Sequence, residues 1–282
     1  MAAKRPLPRA WDDYFIPGTS VLRNKFTGPG KPYGETDATA LRTLEEYHTR
    51  SRLLELHMAP IPGRFDYDHM KAIHGYVFQD VYEWAGQERT APAVGPMLKE
   101  GHAYYPAGPA LTTAAEAEYR KIAGANYLRG LERGAFVTEL AERWGELNVV
   151  HSFREGNTRT QFVFFSELCE QAGYRLDTEA FLPGNPLREE FVQARFHGQD
   201  TGSNDRLAAV LDQAVTVSAP APTGQSAGPG PSRATDQGSG LRAASFPQPP
   251  MVSDPSRGLG ASARPAPGIS RARGRGGPEA GR

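Results

Sequence analysis

The sequence has little cysteine, no long apolar run and no net charge. One cysteine, Cys169, occurs among the 282 residues, so the chain cannot form an internal disulfide, which fits a reducing compartment. The start of the chain is basic but lacks a following apolar segment, and no stretch approaches the length that spans a membrane. The 32 basic and 32 acidic residues balance, so the chain has no overall attraction to nucleic acid or anionic lipid. These features predict a cytoplasmic protein with no membrane partner, and they disfavour nucleic acid as a ligand.

The charge is nevertheless uneven, because residues 216–282 contain eight arginines and three acidic residues, a net charge of +5. This segment consists mainly of alanine, glycine, proline and serine, and its few apolar side chains cannot offset the entropy lost on ordering. We therefore predict a disordered tail over residues 216–282, a folded domain over residues 20–215 and an N-terminal extension over residues 1–19. Contact between the arginines of the tail and nucleic acid is the less favoured interpretation.

Apolar residues recur at helical spacing through most of the folded domain. The pattern predicts helices over residues 37–57, 66–79, 111–130, 135–150, 158–172, 187–197 and 205–217. Thr158 and Gln161 have the spacing of a capping box, which places the start of the fifth helix there. Residues 88–106 contain proline, glycine and β-forming residues without a helical stripe, and they predict a hairpin or flap. The sequence therefore predicts a mainly α fold with one small β-hairpin.

One loop, HSFREGNTR at residues 151–159, holds several chemically active side chains between two apolar helices. The first amide groups of the following helix have no partner inside that helix and point back towards the loop. Gly156 allows a sharp bend and a close approach by a ligand, which makes this turn a candidate phosphate-binding site. Arg159 is unfavourable beside the positive end of the helix dipole unless an anion binds there. Its guanidinium also matches a phosphate with two hydrogen bonds.

Other side chains of the loop suggest chemistry beside that phosphate. Glu155 offers a hard oxygen ligand for Mg²⁺, which proteins commonly bind through one carboxylate together with phosphates and water. A neutral His151 can accept a proton from an attacking hydroxyl, and Phe153 is expected to anchor the loop in the core. The spacing of His151 and Glu155 also occurs in zinc-binding helices. We exclude zinc, because Gly156 follows at once and no second histidine stands at metal spacing.

The loop resembles the signature of Fic-domain (Fido) proteins, which is His-x-Phe-x-[Asp/Glu]-Gly-Asn-x-Arg. Six residues match it: His151, Phe153, Glu155, Gly156, Asn157 and Arg159. The segment IHGYVFQDVYEWAGQERT, residues 73–90, is similar to the stretch that precedes the family's flap. Residues 22–26, LRNKF, followed by Thr36 and Asp37, are also similar to bacterial members. The resemblance covers about residues 20–215 and implies a Fic-type helical domain.

The resemblance implies a protein adenylyltransferase, which transfers AMP from ATP to a Ser, Thr or Tyr hydroxyl of a target protein and releases pyrophosphate. By position, it implies that His151 is the general base and that Glu155 holds a Mg²⁺ ion that bridges phosphates. The phosphate-binding residues that it implies are Gly156, Asn157, Thr158 and Arg159, the first three through their backbone, with added help from the Asn157 side chain. The acceleration then comes from positioning and from charge stabilisation.

The resemblance also assigns a role to the flap, at about residues 88–105. An extended target segment is expected to pair with it by β-strand addition and to present its hydroxyl to His151. The candidate docking residues are Lys99, Tyr104 and Tyr105. On the sequence alone, Lys99 and His102 are expected to be solvated, and nothing distinguishes Tyr104 from Tyr105 as the residue that clamps the target.

Three positions depart from the family's usual pattern. Ser152 replaces a proline, and Thr158 replaces a second glycine. A β-branched residue adopts positive φ only at high cost, so we expect the phosphate-binding turn to be less open. Phe162 stands where members often have a second arginine that would hold the outer phosphate. Arg154 or another basic residue is a candidate to compensate. Otherwise the chain is slow, uses another donor, performs a kinase-like or other phosphate transfer, or is a decayed module that binds nucleotide or protein without chemistry.

Many family members carry an inhibitory helix with the pattern [Ser/Thr]-x-x-x-Glu-[Gly/Asn], and this sequence contains no match to it. Glu100-Gly101 has Pro96 at the required position, and Glu155-Gly156 has His151. The resemblance therefore points to the class whose inhibitor is a separate small protein. It predicts an antitoxin-like partner.

Overall fold

The structure, a computed structural model, describes residues 7–218 and contains seven α-helices within that range. The helices are α1 (Ala38–Met58), α2 (Tyr67–Phe78), α3 (Pro109–Gly124), α4 (Arg133–Val150), α5 (Asn157–Ala172), α6 (Pro186–Thr201) and α7 (Asp205–Ala214). Four short strands accompany them: β1 (Leu98–Lys99), β2 (His102–Ala103), β3 (Tyr174–Leu176) and β4 (Val215–Val217). The prediction of a mainly α fold with a small hairpin is confirmed. The disorder predicted for the tail lies, beyond Ser218, outside the described residues.

All seven predicted helices are present; α6 runs four residues past its predicted end at residue 197, and two other helices end markedly earlier than predicted. The helix expected over residues 111–130 ends at Gly124 and is followed by a 3₁₀ turn, Asn126–Leu128. The helix expected over residues 205–217 ends at Ala214, because β4 pairs antiparallel with β3. Two valines flank a threonine in β4, and these β-branched residues favour a strand. Within the described residues, β4 continues to Val217, two residues past the predicted boundary at residue 215.

The centre of the core lies between α4, α5 and α6. Trp144 of α4 is fully buried and stacks on Phe165 of α5 with ring centroids 4.5 Å apart. Phe162 of α5 and Phe191 of α6 approach the same indole at 4.9 and 5.3 Å. Each such aromatic pair contributes about 0.5–1.5 kcal/mol beyond the area that it buries. This packing fixes the start of α5 relative to the end of α4, which positions the loop between them.

The segment before α1 belongs to the same core. A 3₁₀ helix, Trp11–Tyr14, buries Tyr14, whose hydroxyl accepts a hydrogen bond from the amide of Thr90 at 3.2 Å. The same ring meets the edge of Trp84 with centroids 5.3 Å apart. The boundary expected at residue 20 therefore does not separate the described residues before it from the folded domain.

β1 and β2 form the hairpin that was predicted within residues 88–106. Leu98 pairs with Ala103 and Lys99 with His102. The turn residues Glu100 and Gly101 have φ values of +51° and +84°. Positive φ at both positions is typical of a type I′ turn, whose twist suits a two-residue hairpin. Within residues 7–218, no helix combines the length and the apolar character that crossing a membrane requires.

Candidate functional site

The loop of residues 151–156 is closed by the first residue of α5. The side-chain oxygen of Asn157 accepts a hydrogen bond from the amide of Phe153 at 2.9 Å. Its side-chain nitrogen donates to the carbonyl of Phe153 at 2.7 Å. Through these two bonds, the buried side chain of Asn157 holds the loop together. The main-chain amide of Asn157 takes no part in them.

Arg89, from the segment before the hairpin, connects the loop to the flap. Its Nε donates to the carbonyl of His151 at 2.7 Å and its Nη2 to the carbonyl of Tyr105 at 2.5 Å. The amide of Arg89 donates to the carbonyl of Ser152 at 2.9 Å. Burial lowers the pKa of Arg89 to about 10, so the guanidinium stays charged at neutral pH. It satisfies carbonyl groups at the end of α4 and fixes His151 relative to Tyr105.

Phe153 lies in the core, stacked on His74 of α2 with ring centroids 3.9 Å apart. Nδ1 of His74 accepts a hydrogen bond from the amide of Gly86 at 2.8 Å, which leaves the proton on Nε2. Nε2 therefore donates to the carbonyl of Glu155 at 3.0 Å. Burial lowers the pKa of His74 to about 3. The neutral imidazole of His74 thus supports the loop through its ring stack on Phe153 and its hydrogen bond to the carbonyl of Glu155.

Gly156 occupies a position that only glycine can fill. Its φ is +80°, and a Cβ there would lie 2.2 Å from Cζ of Phe78 in α2. The first amide of α5 with a main-chain acceptor is that of Thr160, which donates to the carbonyl of Gly156 at 3.1 Å. The amides of Asn157, Thr158 and Arg159 therefore form the donor-rich start of the helix, which is suited to binding an anion.

His151 ends α4 in the left-handed conformation, with φ of +48°. The ring of Tyr104, which follows β2, covers the imidazole with centroids 4.0 Å apart. His151 is 5% exposed, and neither ring nitrogen has a hydrogen-bond partner among the described residues. The flap therefore places Tyr104, and not Tyr105, against the imidazole.

The surroundings of His151 keep its imidazole neutral. Burial is the main reason why the pKa of His151 lies well below its ordinary value of 6.5, and the charges of Lys99, Arg89 and Arg195 add to this effect. A main-chain contact of Asn148 acts in the opposite direction and raises the pKa of His151. A neutral imidazole has a nitrogen lone pair available at physiological pH, which is the state that a general base needs.

Glu155 is paired with Lys99 of β1, whose Nζ lies 3.6 Å from Oε2 of the carboxylate. Oε1 accepts a hydrogen bond from the amide of Gly156 at 3.1 Å. Burial raises the pKa of Glu155, but the charges of Lys99 and Arg154 outweigh it and leave the pKa below its ordinary value. The expectation that Lys99 is solvated is wrong. Its side chain is 17% exposed and turns from the hairpin towards the loop, because a carboxylate is there to pair with it.

His102 is also not solvated as expected. Its ring stacks on Phe196 of α6 with centroids 4.1 Å apart, and its Nδ1 lies 2.9 Å from Oδ1 of Asp200. The side chain of Gln199 donates to the carbonyl of Ala103 at 2.5 Å. The hairpin is therefore attached to the C-terminal half of α6.

Arg159 is held by α1. Its guanidinium pairs with Glu45, donates to Oγ1 of Thr49 at 3.1 Å and lies 4.6 Å from the centroid of the Phe78 ring. Burial would lower the pKa of Arg159, but Glu45 raises it above its ordinary value. A carboxylate of the protein itself thus relieves the unfavourable position beside the helix dipole. The phosphate clamp that the resemblance implied for Arg159 is not formed in this arrangement.

Thr158 accepts a hydrogen bond from Arg195 of α6. Nη1 of Arg195 lies 3.2 Å from Oγ1 of Thr158 and 3.1 Å from Oδ1 of Asn148. The predicted capping box is wrong, because α5 begins one residue earlier, with Gly156 as its N-cap. Gln161 instead accepts from Nε1 of Trp144 at 3.2 Å inside the core.

Arg154, the named candidate to replace the second arginine, is directed towards the N-terminal segment. Its guanidinium lies 4.6 Å from the ring centroid of Trp11 and 5.2 Å from that of Phe15. Its Nη1 is 4.0 Å from Oε2 of Glu155. Two aromatic rings therefore hold Arg154, and α6 supplies the arginine beside Thr158.

Three further residues shape this site and were not predicted from the sequence: His74, Arg89 and Arg195. His74 and Arg89 fall inside the segment of residues 73–90 that carried part of the resemblance, where each is a polar residue that the fold buries. Arg195 lies on a later helix, and no local pattern connects it to the loop. Long-range packing of α6 alone brings it there.

Comparison with known proteins gives consistent matches. Residues 64–169 match the model of the Fic/DOC family. The chain is 33% identical over 205 residues to the protein adenylyltransferase VbhT of Bartonella schoenbuchensis, a match that covers 73% of this chain and 39% of VbhT. It is 34% identical over 173 residues to the probable protein adenylyltransferase y4lH of Sinorhizobium fredii, covering 61% of this chain and 82% of y4lH.

A solved structure shows the same fold. It is BepC, a VirB-translocated effector protein with bound AMPPNP from Bartonella tribocorum, and it superposes with a TM-score of 0.64 at 22% identity. The match covers 74% of this chain and 98% of the BepC chain. With the signature loop, the helical fold and a relative matched over most of its length, the chain belongs to the Fic/DOC family.

Proposed function

We propose that this protein transfers AMP from ATP to a Ser, Thr or Tyr hydroxyl of a target protein and releases pyrophosphate. The observation that carries the proposal is His151, a neutral, buried imidazole without a hydrogen-bond partner, on the loop that leads into the unpaired amides of α5. Relatives that are named protein adenylyltransferases add support. The chain spans 39% of VbhT and 82% of y4lH.

In the proposed step, the target hydroxyl attacks the α-phosphorus of ATP while its proton passes to a ring nitrogen of His151. A bond forms between the hydroxyl oxygen and phosphorus. The bond from the α-phosphorus to the oxygen that bridges to the β-phosphate breaks, and pyrophosphate leaves with the electron pair. The backbone amides of Gly156, Asn157 and Thr158 are proposed to stabilise the negative charge on the phosphates, since donors that are already oriented need no reorganisation during the reaction.

Mg²⁺ is the metal that fits the site, with Glu155 as its protein ligand. The lowered pKa of Glu155 keeps its carboxylate ionised, and one carboxylate beside a phosphate site is the arrangement in which proteins usually bind this ion. Bound together with the nucleotide, Mg²⁺ supplies charge neutralisation on the phosphates. The ammonium of Lys99, 3.6 Å from Oε2, competes for the same carboxylate, so Lys99 is proposed to move when the metal and nucleotide bind.

The hairpin is proposed to bind the target by β-strand addition, with Lys99, Tyr104 and Tyr105 as the docking residues. Tyr104 is the better candidate for the position beside the reacting hydroxyl, because its ring already lies against His151. The backbone of Tyr105 is engaged by Arg89 and by the carbonyl of Val149. The covering ring of Tyr104 has to shift before a hydroxyl can reach the imidazole.

Two further proposals concern the setting of the reaction. The sequence has no inhibitory segment of the family's pattern, so we propose that a separate, antitoxin-like protein restrains the enzyme. We also propose that the reaction takes place in the cytoplasm, a compartment that contains ATP. If the purified chain is inactive until an internal segment is deleted, the proposal of a separate inhibitor is wrong.

The test of the transfer uses the full chain, a cell extract as the source of targets, and ATP labelled on the α-phosphate. We expect labelled protein with the wild type and a loss of at least about 100-fold with His151→Ala, because general base catalysis typically contributes that much. His57→Ala, which changes an exposed histidine near the end of α1, serves as the control and is expected to match the wild type.

The other outcomes of this experiment separate the alternatives. Label that appears only from ATP labelled on the γ-phosphate indicates a kinase-like transfer. Absence of label from either nucleotide, together with measurable nucleotide binding, indicates a decayed binding module. Equal labelling by the wild type and His151→Ala contradicts the assignment of His151 as the base.

A further inference from the structure

Three of the four arginines around the loop are committed to groups of the protein. Arg159 is paired with the carboxylate of Glu45. Arg154 lies over the ring of Trp11, at 4.6 Å from its centroid. Arg89 donates to main-chain carbonyls at the end of α4 and on the flap. Each of these three guanidinium groups is already held by a carboxylate, a ring or carbonyl groups, although Nη1 of Arg89 and Nε of Arg154 have no hydrogen-bond partner.

Arg195 differs from them in its partners. Its Nη1 donates to two neutral oxygens, Oδ1 of Asn148 at 3.1 Å and Oγ1 of Thr158 at 3.2 Å, while its buried Nε has no partner. Among the described residues, no carboxylate lies within the 4.0 Å of an ion pair with it. Burial lowers the pKa of Arg195 to about 10, which leaves the group charged at neutral pH. A partly buried guanidinium with neutral partners favours binding of an anion.

Arg195 lies beside the proposed phosphate site and near enough to His151 to affect its pKa. Thr158 is the second residue of α5, so the guanidinium lies beside the helix start whose first amides have no main-chain acceptor. Its charge also reaches the imidazole of His151, whose pKa it helps to lower. The positive charge of Arg195 therefore also acts on an anion bound by those amides.

The two unusual residues of the signature both support this arginine. Thr158 accepts its hydrogen bond directly. Phe162 packs on Phe191 with ring centroids 5.1 Å apart, and the guanidinium of Arg195 lies 4.6 Å from the centroid of that same Phe191 ring. An aromatic face beneath a guanidinium stabilises its position by a cation–π contact. Phe162 of α5 thus supports the Phe191 ring, which in turn contacts the guanidinium of Arg195 from α6.

We propose that Arg195 binds the diphosphate end of ATP and takes over, from α6, the cationic role that Phe162 cannot provide from α5. Thr158 and Phe191 orient its guanidinium towards the start of α5. The inference rests on the proposed AMP transfer and adds to it the residue that distinguishes ATP from AMP, since AMP has no diphosphate end to bind.

The experiment measures the dissociation constants of the full chain for ATP and for AMP by calorimetry, in the presence of Mg²⁺. In Arg195→Gln, we expect the dissociation constant for ATP to rise about 10-fold or more, as for the loss of a hydrogen bond to a charged group. The value for AMP is expected to stay within about 2-fold of the wild type, because the lost contact involves only the outer phosphates. Arg206→Gln, an exposed arginine of α7, is the matched control and is expected to leave both values unchanged.

A second variant, Thr158→Val, keeps the shape of the side chain but removes the oxygen that orients Arg195. It is expected to weaken ATP binding by about 3-fold or more without changing AMP binding, on the scale of one neutral hydrogen bond. If Arg195→Gln does not fold, Thr158→Val decides the matter, and unchanged ATP affinity in it overturns the proposal. Equal losses for ATP and AMP in Arg195→Gln also overturn it, because they indicate a structural role.

The outcome for Arg195 can be separated from the outcome for the transfer itself. If the wild type binds ATP, loses that affinity in Arg195→Gln and yet transfers no AMP, the assignment of Arg195 stands and the proposed function fails. If AMP transfer is observed while Arg195→Gln binds ATP as the wild type does, the function stands and the assignment of Arg195 fails. A wild type that binds neither nucleotide contradicts both.

Discussion

His74 illustrates at the residue scale how a buried polar group positions the residues of a loop. Its face supports Phe153 and its two nitrogens bind the carbonyl of Glu155 and the amide of Gly86. The two hydrogen bonds fix one tautomer, and the contact with Gly86 needs the neutral imidazole, since a second ring proton would face the Gly86 amide. Protonation of His74 therefore has to disrupt the loop.

This arrangement predicts a specific acid sensitivity. The pKa of His74 is about 3 in the folded protein and near 6.5 in an unfolded chain, so the unfolded state binds more protons between these two values. The stabilisation is complete above pH 6.5 and is lost as the pH falls towards 3, an effect on the order of a few kcal/mol. Urea unfolding across this range is expected to show a steeper loss in the wild type than in His74→Gln. His57→Gln, at an exposed position, should follow the wild type, and identical pH slopes in all three proteins contradict the prediction.

The same residues show what the sequence could predict about the site and what it could not. The spacing of the loop residues predicted that Phe153, Glu155 and Gly156 would lie between two helices, because adjacency in the chain is itself a spatial constraint. It did not predict the direction of Arg159, whose partner Glu45 lies on α1 and is brought close only by folding. Side-chain direction in a buried site depends on long-range partners, and a single sequence does not pair them.

At the scale of elements, the hairpin depends on α6 as much as on its own strands. Each strand has two residues, and an isolated pair of that size is unstable in water. His102 is stacked on Phe196 and bonded to Asp200, and Ala103 is bonded to Gln199. We infer that α6 holds the flap in the position in which Tyr104 covers His151.

Removing the polar part of this attachment is expected to loosen the flap. In Asp200→Ala, amide hydrogen exchange at residues 98–104 should be faster by about 5-fold or more, because local opening loses a contact of roughly 1 kcal/mol. Exchange in α4 and α5 should be unchanged. Gln193→Ala, at an exposed position on the same helix, is the control. Equal exchange rates in the hairpin of Asp200→Ala and the wild type mean that the attachment does not limit flap opening.

The helices themselves were the part of the fold that the sequence predicted best. Asp66 precedes α2, and its side chain accepts a hydrogen bond from the amide of His69 at 2.9 Å. Periodicity and local capping chemistry determine where such a helix begins. The end of α7 was mistaken for further helix because its successor, Val215–Val217, becomes a strand only through pairing with β3, 39 to 43 residues earlier in the chain.

At the scale of the whole molecule, the described chain behaves as one folding unit whose two ends both enter the core. Tyr14 packs on Trp84 near the beginning. Val215 is buried near the end, and its carbonyl accepts hydrogen bonds from Arg133 of α4 at 3.0 and 3.2 Å. Composition predicts a tail that begins at residue 216, since the loss of apolar side chains is visible in the sequence. We propose that the domain comprises at least residues 7–218.

Two truncations test that proposal. A chain of residues 1–218 retains β4 and the site, so we expect it to unfold at the temperature of the full chain and to transfer AMP equally well. A chain of residues 1–212 loses β4 and the buried Val215, which contributes about 1.5–3 kcal/mol by burial alone. For a domain of this size we expect its unfolding temperature to fall by at least about 3 °C, measured by circular dichroism. If residues 1–212 unfold at the same temperature as residues 1–218, β4 is dispensable; if residues 1–218 unfold well below the full chain, the domain extends beyond Ser218.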